Sequence, residues 1–263
     1  MRSEKVYLRH LLDALAVCSE YRPKLGHRAE DGYTLEAFRE LYGSDPFYSW
    51  LGLDSPSVYA ALRASGGITS LYRQIGIGCE RLFRAIIQDQ LQLSEEESSW
   101  SYTVREGNRT RELKLDARIR VAAISDEEKR ETVLLWIARA CDFLGLATEQ
   151  ADNLGGMVFE VRQGYKSKDS KRQNADIQNA TNAFAHSYMM VIPVFSMQID
   201  EDLLDRYRAH KMLVLTGTLR DDDIASTYAF SRSVLGYDLA GFFQRNADHL
   251  RAEIREILGR LVQ

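Results

Sequence analysis

Phe159-Glu160-Val161-Arg162-Gln163-Gly164-Tyr165-Lys166-Ser167-Lys168-Asp169-Ser170-Lys171-Arg172-Gln173-Asn174-Ala175-Asp176 is the stretch from which the fold is read. It leaves an apolar strand expected over 157–161, turns at Gly164, and enters a helix expected from about Ser170 to Tyr188. Glu160 interrupts the apolar run of Met157, Val158, Phe159 and Val161, a place where a carboxylate needs a task to offset its desolvation. Residues 162–172 hold Arg162, Lys166, Lys168, Lys171 and Arg172 against Asp169 alone, a local net charge of +4. The whole chain has 34 basic and 38 acidic residues and a formal charge of −4, so this positive focus asks for an anion. Lysines at a helix start oppose the macrodipole, which favours a bound phosphate there over a solvated helix end.

Strands and helices alternate on both sides of this stretch. Trp100 to Arg105 and Arg111 to Ile124 read as a hairpin turning at Glu106-Gly107-Asn108. On the second strand Leu113, Leu115, Ala117, Ile119 and Val121 face one way, and Lys114, Asp116, Arg118 and Arg120 the other. Ser125 and Asp126 cap a helix that runs to Leu144 before Gly145. Downstream come a strand over 190–196, a helix over 200–209, a strand over 212–215, and two closing helices. The last carries Leu239, Phe242, Phe243, Leu250, Ile254, Ile257 and Leu261 on one face, a surface offered for pairing. The pattern predicts an α/β class with a central mixed β-sheet flanked by helices. The first 95 residues read as helix over 4–20, 34–42, 56–64 and 69–93, broken at Ser65-Gly66-Gly67 and closed by an acidic linker, Ser94 to Ser99. Two regions are therefore expected, a helical 1–95 and a sheet-bearing core over 96–263.

Composition excludes several classes. With 263 residues, 45% hydrophobic and 27% charged, the chain can bury a sizeable core and is neither disordered nor of ribosomal-tail character. Cys18, Cys79 and Cys141 are odd in number and far apart, which fits a reducing, cytoplasmic setting and no zinc site. No stretch approaches the ~18 apolar residues of a membrane span. The five histidines lack ligand spacing, and there is no nucleophile elbow, phosphate loop or dinucleotide fingerprint. Asp221-Asp222-Asp223 precedes a helix and reads as capping. Tyr228, Phe230, Phe242 and Phe243 read as core or dimer-face aromatics.

Asp116 and Glu160 can face each other across adjacent strands, with Arg162 two positions on along the same face. Two carboxylates with a cation beside them can hold Mg²⁺, lower the pKa of a bound water, and stabilise charge growing on a phosphorus. The blander readings are an exposed hairpin charge for Asp116 and an ion pair with Arg84 for Glu80.

Over about residues 69–217 the chain resembles the PD-(D/E)XK nucleases, in their type II restriction endonuclease branch. The helix Ser70 to Phe83 bearing Glu80, the strand Leu115-Asp116-Ala117-Arg118-Ile119, the element Glu160-Val161-Arg162 with nearby Lys166, and Gln173-Asn174-Ala175-Asp176 opening the next helix carry the likeness. The third motif position holds Arg162 where the family has lysine, and Leu115 stands where it has proline. The resemblance implies a restriction-endonuclease-like core, with Asp116, Glu160 and the auxiliary Glu80 as metal ligands. Either Arg162 or Lys166 would be the catalytic cation. It implies Mg²⁺ as cofactor, double-stranded DNA as substrate, a homodimer in a prokaryotic cytoplasm, and a companion DNA methyltransferase in the same locus. Lys168, Lys171, Arg172, Gln173, Asn174 and Asn179 are the expected DNA contacts, since helix starts bind phosphate and Gln and Asn read adenine edges. The first 95 residues would supply dimer contacts or clamping arms. Two other readings stay open: a repair or recombination nuclease of the same fold, and a non-catalytic DNA-binding module.

Overall fold

The computed structural model describes residues 2–25, 31–106, 109–165 and 170–261. In chain order these form helices α1 (Glu4–Ala16), α2 (Leu35–Gly43), α3 (Pro46–Trp50), α4 (Pro56–Leu91) and α5 (Glu95–Ser98). Strands β1 (Trp100–Glu106), β2 (Arg109–Leu115) and β3 (Ala117–Arg120) follow, then α6 (Glu127–Leu144), α7 (Thr148–Asp152), β4 (Gly156–Phe159) and α8 (Ser170–Ala185). The chain finishes with β5 (Tyr188–Pro193), α9 (Glu201–Ala209), β6 (Leu213–Leu215), α10 (Thr227–Ser233), α11 (Leu239–Arg245) and α12 (Ala247–Leu261). Two compact units result. One comprises residues 1–8 and 79–245, the other 9–78 and 246–263. The division thus falls at Gly78 and Cys79 inside α4, not at residue 95, and the last helix belongs with the early helices.

In the sheet-bearing unit the order β3-β4-β5-β6 is mixed. β3 and β4 are antiparallel, and β4-β5 and β5-β6 are parallel. Alternation sends Val158, Met190, Ile192 and Val194 to one face, where they pack with Trp100, Tyr102 and Leu115 of the hairpin, Ala180 and Ala183 of α8, and Leu203 and Tyr207 of α9. Phe159 points the other way, against Phe83 of α4 and Phe230 of α10, and Trp136 of α6 packs edge-on against Phe230. Each such fully buried side chain contributes roughly 1.5–3 kcal/mol from removal of apolar surface. α6 is closed by its expected caps, Asp126 accepting from the Lys129 N–H and Gly145 at φ 61°.

The expected second hairpin strand is broken at Asp116. β2 pairs with β1 in a separate two-stranded sheet, while β3 joins the main one. The Asp116 N–H turns to donate to Phe159 O at 2.9 Å, which moves the chain from one sheet to the other. The acidic linker is a short helix, because Ser94 and Glu97 form a capping box. The Asp run does not cap α10, whose cap is Ser226. Asp223 instead accepts both Arg139 guanidinium nitrogens at 2.9 Å, and Asp221 pairs with Arg232.

In the helical unit, α4 passes unbroken through Ser65-Gly66-Gly67. Glycine in a helix interior costs about 1 kcal/mol relative to alanine, but here its absent side chain is what lets neighbours close in. A Cβ on Gly66 would lie 2.8 Å from Tyr21 Cζ, and one on Gly67 would lie 2.5 Å from Leu261 Cδ2. Leu261 and Ile257 of α12 are buried with Leu15, Cys18 and Leu71. The apolar face of the last helix is therefore consumed within the chain and is no open pairing surface, and the second of the two expected closing helices is divided into α11 and α12. Phe230 and Phe242 are fully buried core aromatics.

Candidate active site

Stepping the antiparallel register one place beyond Ala117↔Phe159 sets Asp116 opposite Glu160. Both lie where β3 and β4 part, and each carboxyl enters the electrostatic surroundings of the other. The Val161 N–H donates to Asp116 Oδ2 at 2.7 Å. The Glu160 N–H donates to Val191 O at 3.1 Å, and Arg162 continues the parallel run beside Val194. Arg84, from α4, donates through Nε to Asp116 O. Glu80, one turn earlier on α4, shares the electrostatic field of Glu160, Arg162, Arg84 and Arg172. It makes no ion pair with Arg84 among the described residues.

Arg162 is the hub. Its Nη1 pairs with Glu160 Oε1, and its Nη2 donates to Asp176 Oδ1 at 3.0 Å. The Arg162 side chain is 8% exposed, so its charge is met by the two acids more than by solvent. Asp176 sits on α8, where its other oxygen accepts from Tyr207 Oη at 2.6 Å and Tyr165 Oη at 3.2 Å. Arg162 Nε is buried without a hydrogen-bond partner.

Burial pushes both Asp116 and Glu160 toward the protonated form. For Asp116 the charge of Glu80 adds to that, while the Val161 N–H, Arg162 and Arg84 oppose it. For Glu160 the Arg162 charge opposes, and Asp116 and Asp176 reinforce. Glu80 is raised by burial and then by Glu160. Burial works against the Arg162 charge, but Glu160, Asp176 and Asp116 outweigh it and hold the guanidinium firmly protonated.

Among the described residues no group of three or more His, Cys, Asp or Glu is placed to hold a metal ion. Glu80 is thus not drawn into a three-membered ligand set with Asp116 and Glu160. The pair itself still fits Mg²⁺. Its donors are hard carboxylate oxygens, one on each residue lies beyond the bonds just described, and Mg²⁺ needs only one or two carboxylates when water and substrate phosphates complete its shell. A dication is also the group that relieves two buried acids of like charge.

Of the expected DNA contacts, Lys168 lies outside the described residues, as does the candidate cation Lys166. Lys171 and Arg172 are exposed in the first turn of α8, and Arg172 lies over the Tyr165 ring, 5.6 Å from its centroid. Gln173 and Asn174 are not poised as base readers: their side-chain oxygens are held by Arg206, the Asn174 contact at 2.7 Å. Asn179 accepts from the Tyr102 hydroxyl. Sequence reasoning missed Asp176, Tyr207 and Arg84 as parts of the site. The usable signal for Asp176 is its place on the buried stripe Asp176, Ala180, Ala183 of α8, where an acid must have partners.

No helix among the described residues is long and apolar enough to cross a membrane. The chain matches no family model, no curated protein and no solved structure.

Proposed function

We propose that the chain is a Mg²⁺-dependent nuclease that hydrolyses phosphodiester bonds in double-stranded DNA, in the manner of a type II restriction endonuclease. The observation that carries this is Asp116 facing Glu160 at the parting of β3 and β4, with Arg162 locked against Glu160. Bound between the two carboxylates, Mg²⁺ would supply a more acidic water and charge neutralisation at the phosphate. The chain's own part is positional. The Val161 N–H fixes one Asp116 oxygen, Arg84 fixes its main chain, and Arg162 fixes Glu160. Holding reacting groups in this way removes orientational freedom before the chemistry begins. Arg162 is buried between two acids, so it acts here as a positioning residue, and the cation that meets the phosphate is assigned to another residue of the site.

Two-fold pairing of two chains on a palindromic site, with a companion methyltransferase protecting the host, completes the proposal. Mixed-sequence duplex DNA incubated with the protein and Mg²⁺ should yield discrete fragments. EDTA, Asp116→Asn and Glu160→Gln should each abolish them. Fragments that persist undiminished in Glu160→Gln would remove Glu160 from the chemistry. Cutting confined to ends or branches would turn the reading toward repair.

A further inference from the structure

Beside Asp116, within the sheet-bearing unit, lies a polar groove of about 560 Å³ whose lining includes Arg84, Glu95, Glu96, Ser101, Lys114 and Arg118. Its cations come from three elements that converge on the bend at residue 116. Arg84 reaches from α4 to Asp116 O. Arg118, on β3, donates to the carbonyl oxygens of Glu97 and Glu96, each at 2.9 Å. Lys114 stands on the outer face of the hairpin, directly across from Ser101. Both arginines donate to neutral main-chain acceptors, and among the described residues neither meets a carboxylate within ion-pair distance. Among the described residues Lys114 has a 3.8 Å exposed contact with Glu112, of a kind that contributes little. Glu95 and Glu96 also line the groove.

We propose that this groove carries the phosphodiester backbone of the DNA strand on its way to Asp116 and Glu160. The assignment rests on the nuclease reading and moves the principal backbone contact from the 162–172 stretch to the hairpin side of the site. A phosphate held at the carboxylates has neighbours on either side along its strand, and the hydroxyl of Ser101 with the three cations offers the donors such neighbours require.

Lys114→Gln and Ser101→Asp test the proposal, because both positions are exposed and neither belongs to the catalytic set or the core. Binding of a labelled duplex is measured in EDTA across a salt series, and cleavage with Mg²⁺ is measured on the same preparations. Lys114→Gln should weaken binding and flatten the plot of log affinity against log salt by about 0.9, the value for one lost phosphate contact. Ser101→Asp should weaken binding further by setting a carboxylate across from Lys114. If both variants bind with the parent affinity and salt slope while DNA is still cut, the groove assignment falls and the nuclease reading stands. If the parent protein neither binds nor cuts duplex DNA, both fall.

Discussion

Asp176 clamps Arg162 from behind the candidate site, Nη2 to Oδ1 at 3.0 Å, with both side chains almost wholly removed from solvent. Tyr207 and Tyr165 hold the second Asp176 oxygen, so the acid is anchored at three points and cannot follow the guanidinium elsewhere. Removing one partner of a buried pair leaves the other charge uncompensated. Asp176→Asn is therefore expected to cost about 3–5 kcal/mol of stability. Tyr207→Phe, which deletes one bond to a charged acceptor, should cost about 1.5–3 kcal/mol. Urea unfolding monitored by circular dichroism measures both, and an Asp176→Asn loss below that of Tyr207→Phe would remove the clamp from the account.

Much of this arrangement was legible in the residues. The strand-helix alternation, the caps of α6 and the facing of Asp116 and Glu160 follow from periods of two and of 3.6 and from local capping chemistry. What escaped depends on tertiary approach. Gly66 and Gly67 look like a helix break until Tyr21 and Leu261 are seen to occupy the space their side chains would need. The strand break at Asp116 is invisible to alternation, because Leu115 and Ala117 are both buried as a continuous strand would have them. Gln173 and Asn174 look like base readers only while Arg206, more than thirty residues away, is out of view.

The raised Asp116 and Glu160 carboxyls make stability depend on pH in a fixed direction. Above the ordinary carboxylate range of about pH 4, the unfolded chain has released these protons while the folded chain still holds them. Folding then takes up protons, so stability falls as pH rises through the raised values and is regained as pH is lowered toward about 4, where both states are protonated. In EDTA the contribution of this pair should lower the melting temperature between pH 5 and pH 8, roughly the span above ordinary carboxylate titration. Asp116→Asn should flatten that dependence. Added Mg²⁺ should raise the melting temperature more at the upper end of the range than at the lower. An Asp116→Asn profile parallel to that of the parent would show that the pair is not the source.

Gly66 offers a check on the helical unit. In an exposed helix interior, Gly→Ala stabilises by roughly 0.5–1 kcal/mol. In α4 the new methyl group would lie 2.8 Å from Tyr21 Cζ, and a ring cannot yield as a flexible chain end does. Gly66→Ala should therefore lower the unfolding free energy, and pairing it with Tyr21→Ala should recover the helix-propensity gain. A stabilised single variant would mean that Tyr21 does not occupy that space.

Arg162 stands where the resembled family has lysine, and the geometry explains the difference. One guanidinium nitrogen reaches Glu160 while another reaches Asp176, and this two-ended bridge requires the planar fork of arginine. A lysine ammonium is a single compact charge and would have to choose between the two acids. Arg162→Lys should then leave one buried carboxylate short of its partner, lower stability by about 1–3 kcal/mol, and slow cleavage by about tenfold or more through loss of Glu160 placement. The expected signature is a fall in kcat with little change in KM, since an almost buried residue has little contact with bound substrate. If Arg162→Lys instead cuts DNA as fast as the parent, the position serves as a simple cation toward the phosphate, and the bridge to Asp176 is structural alone.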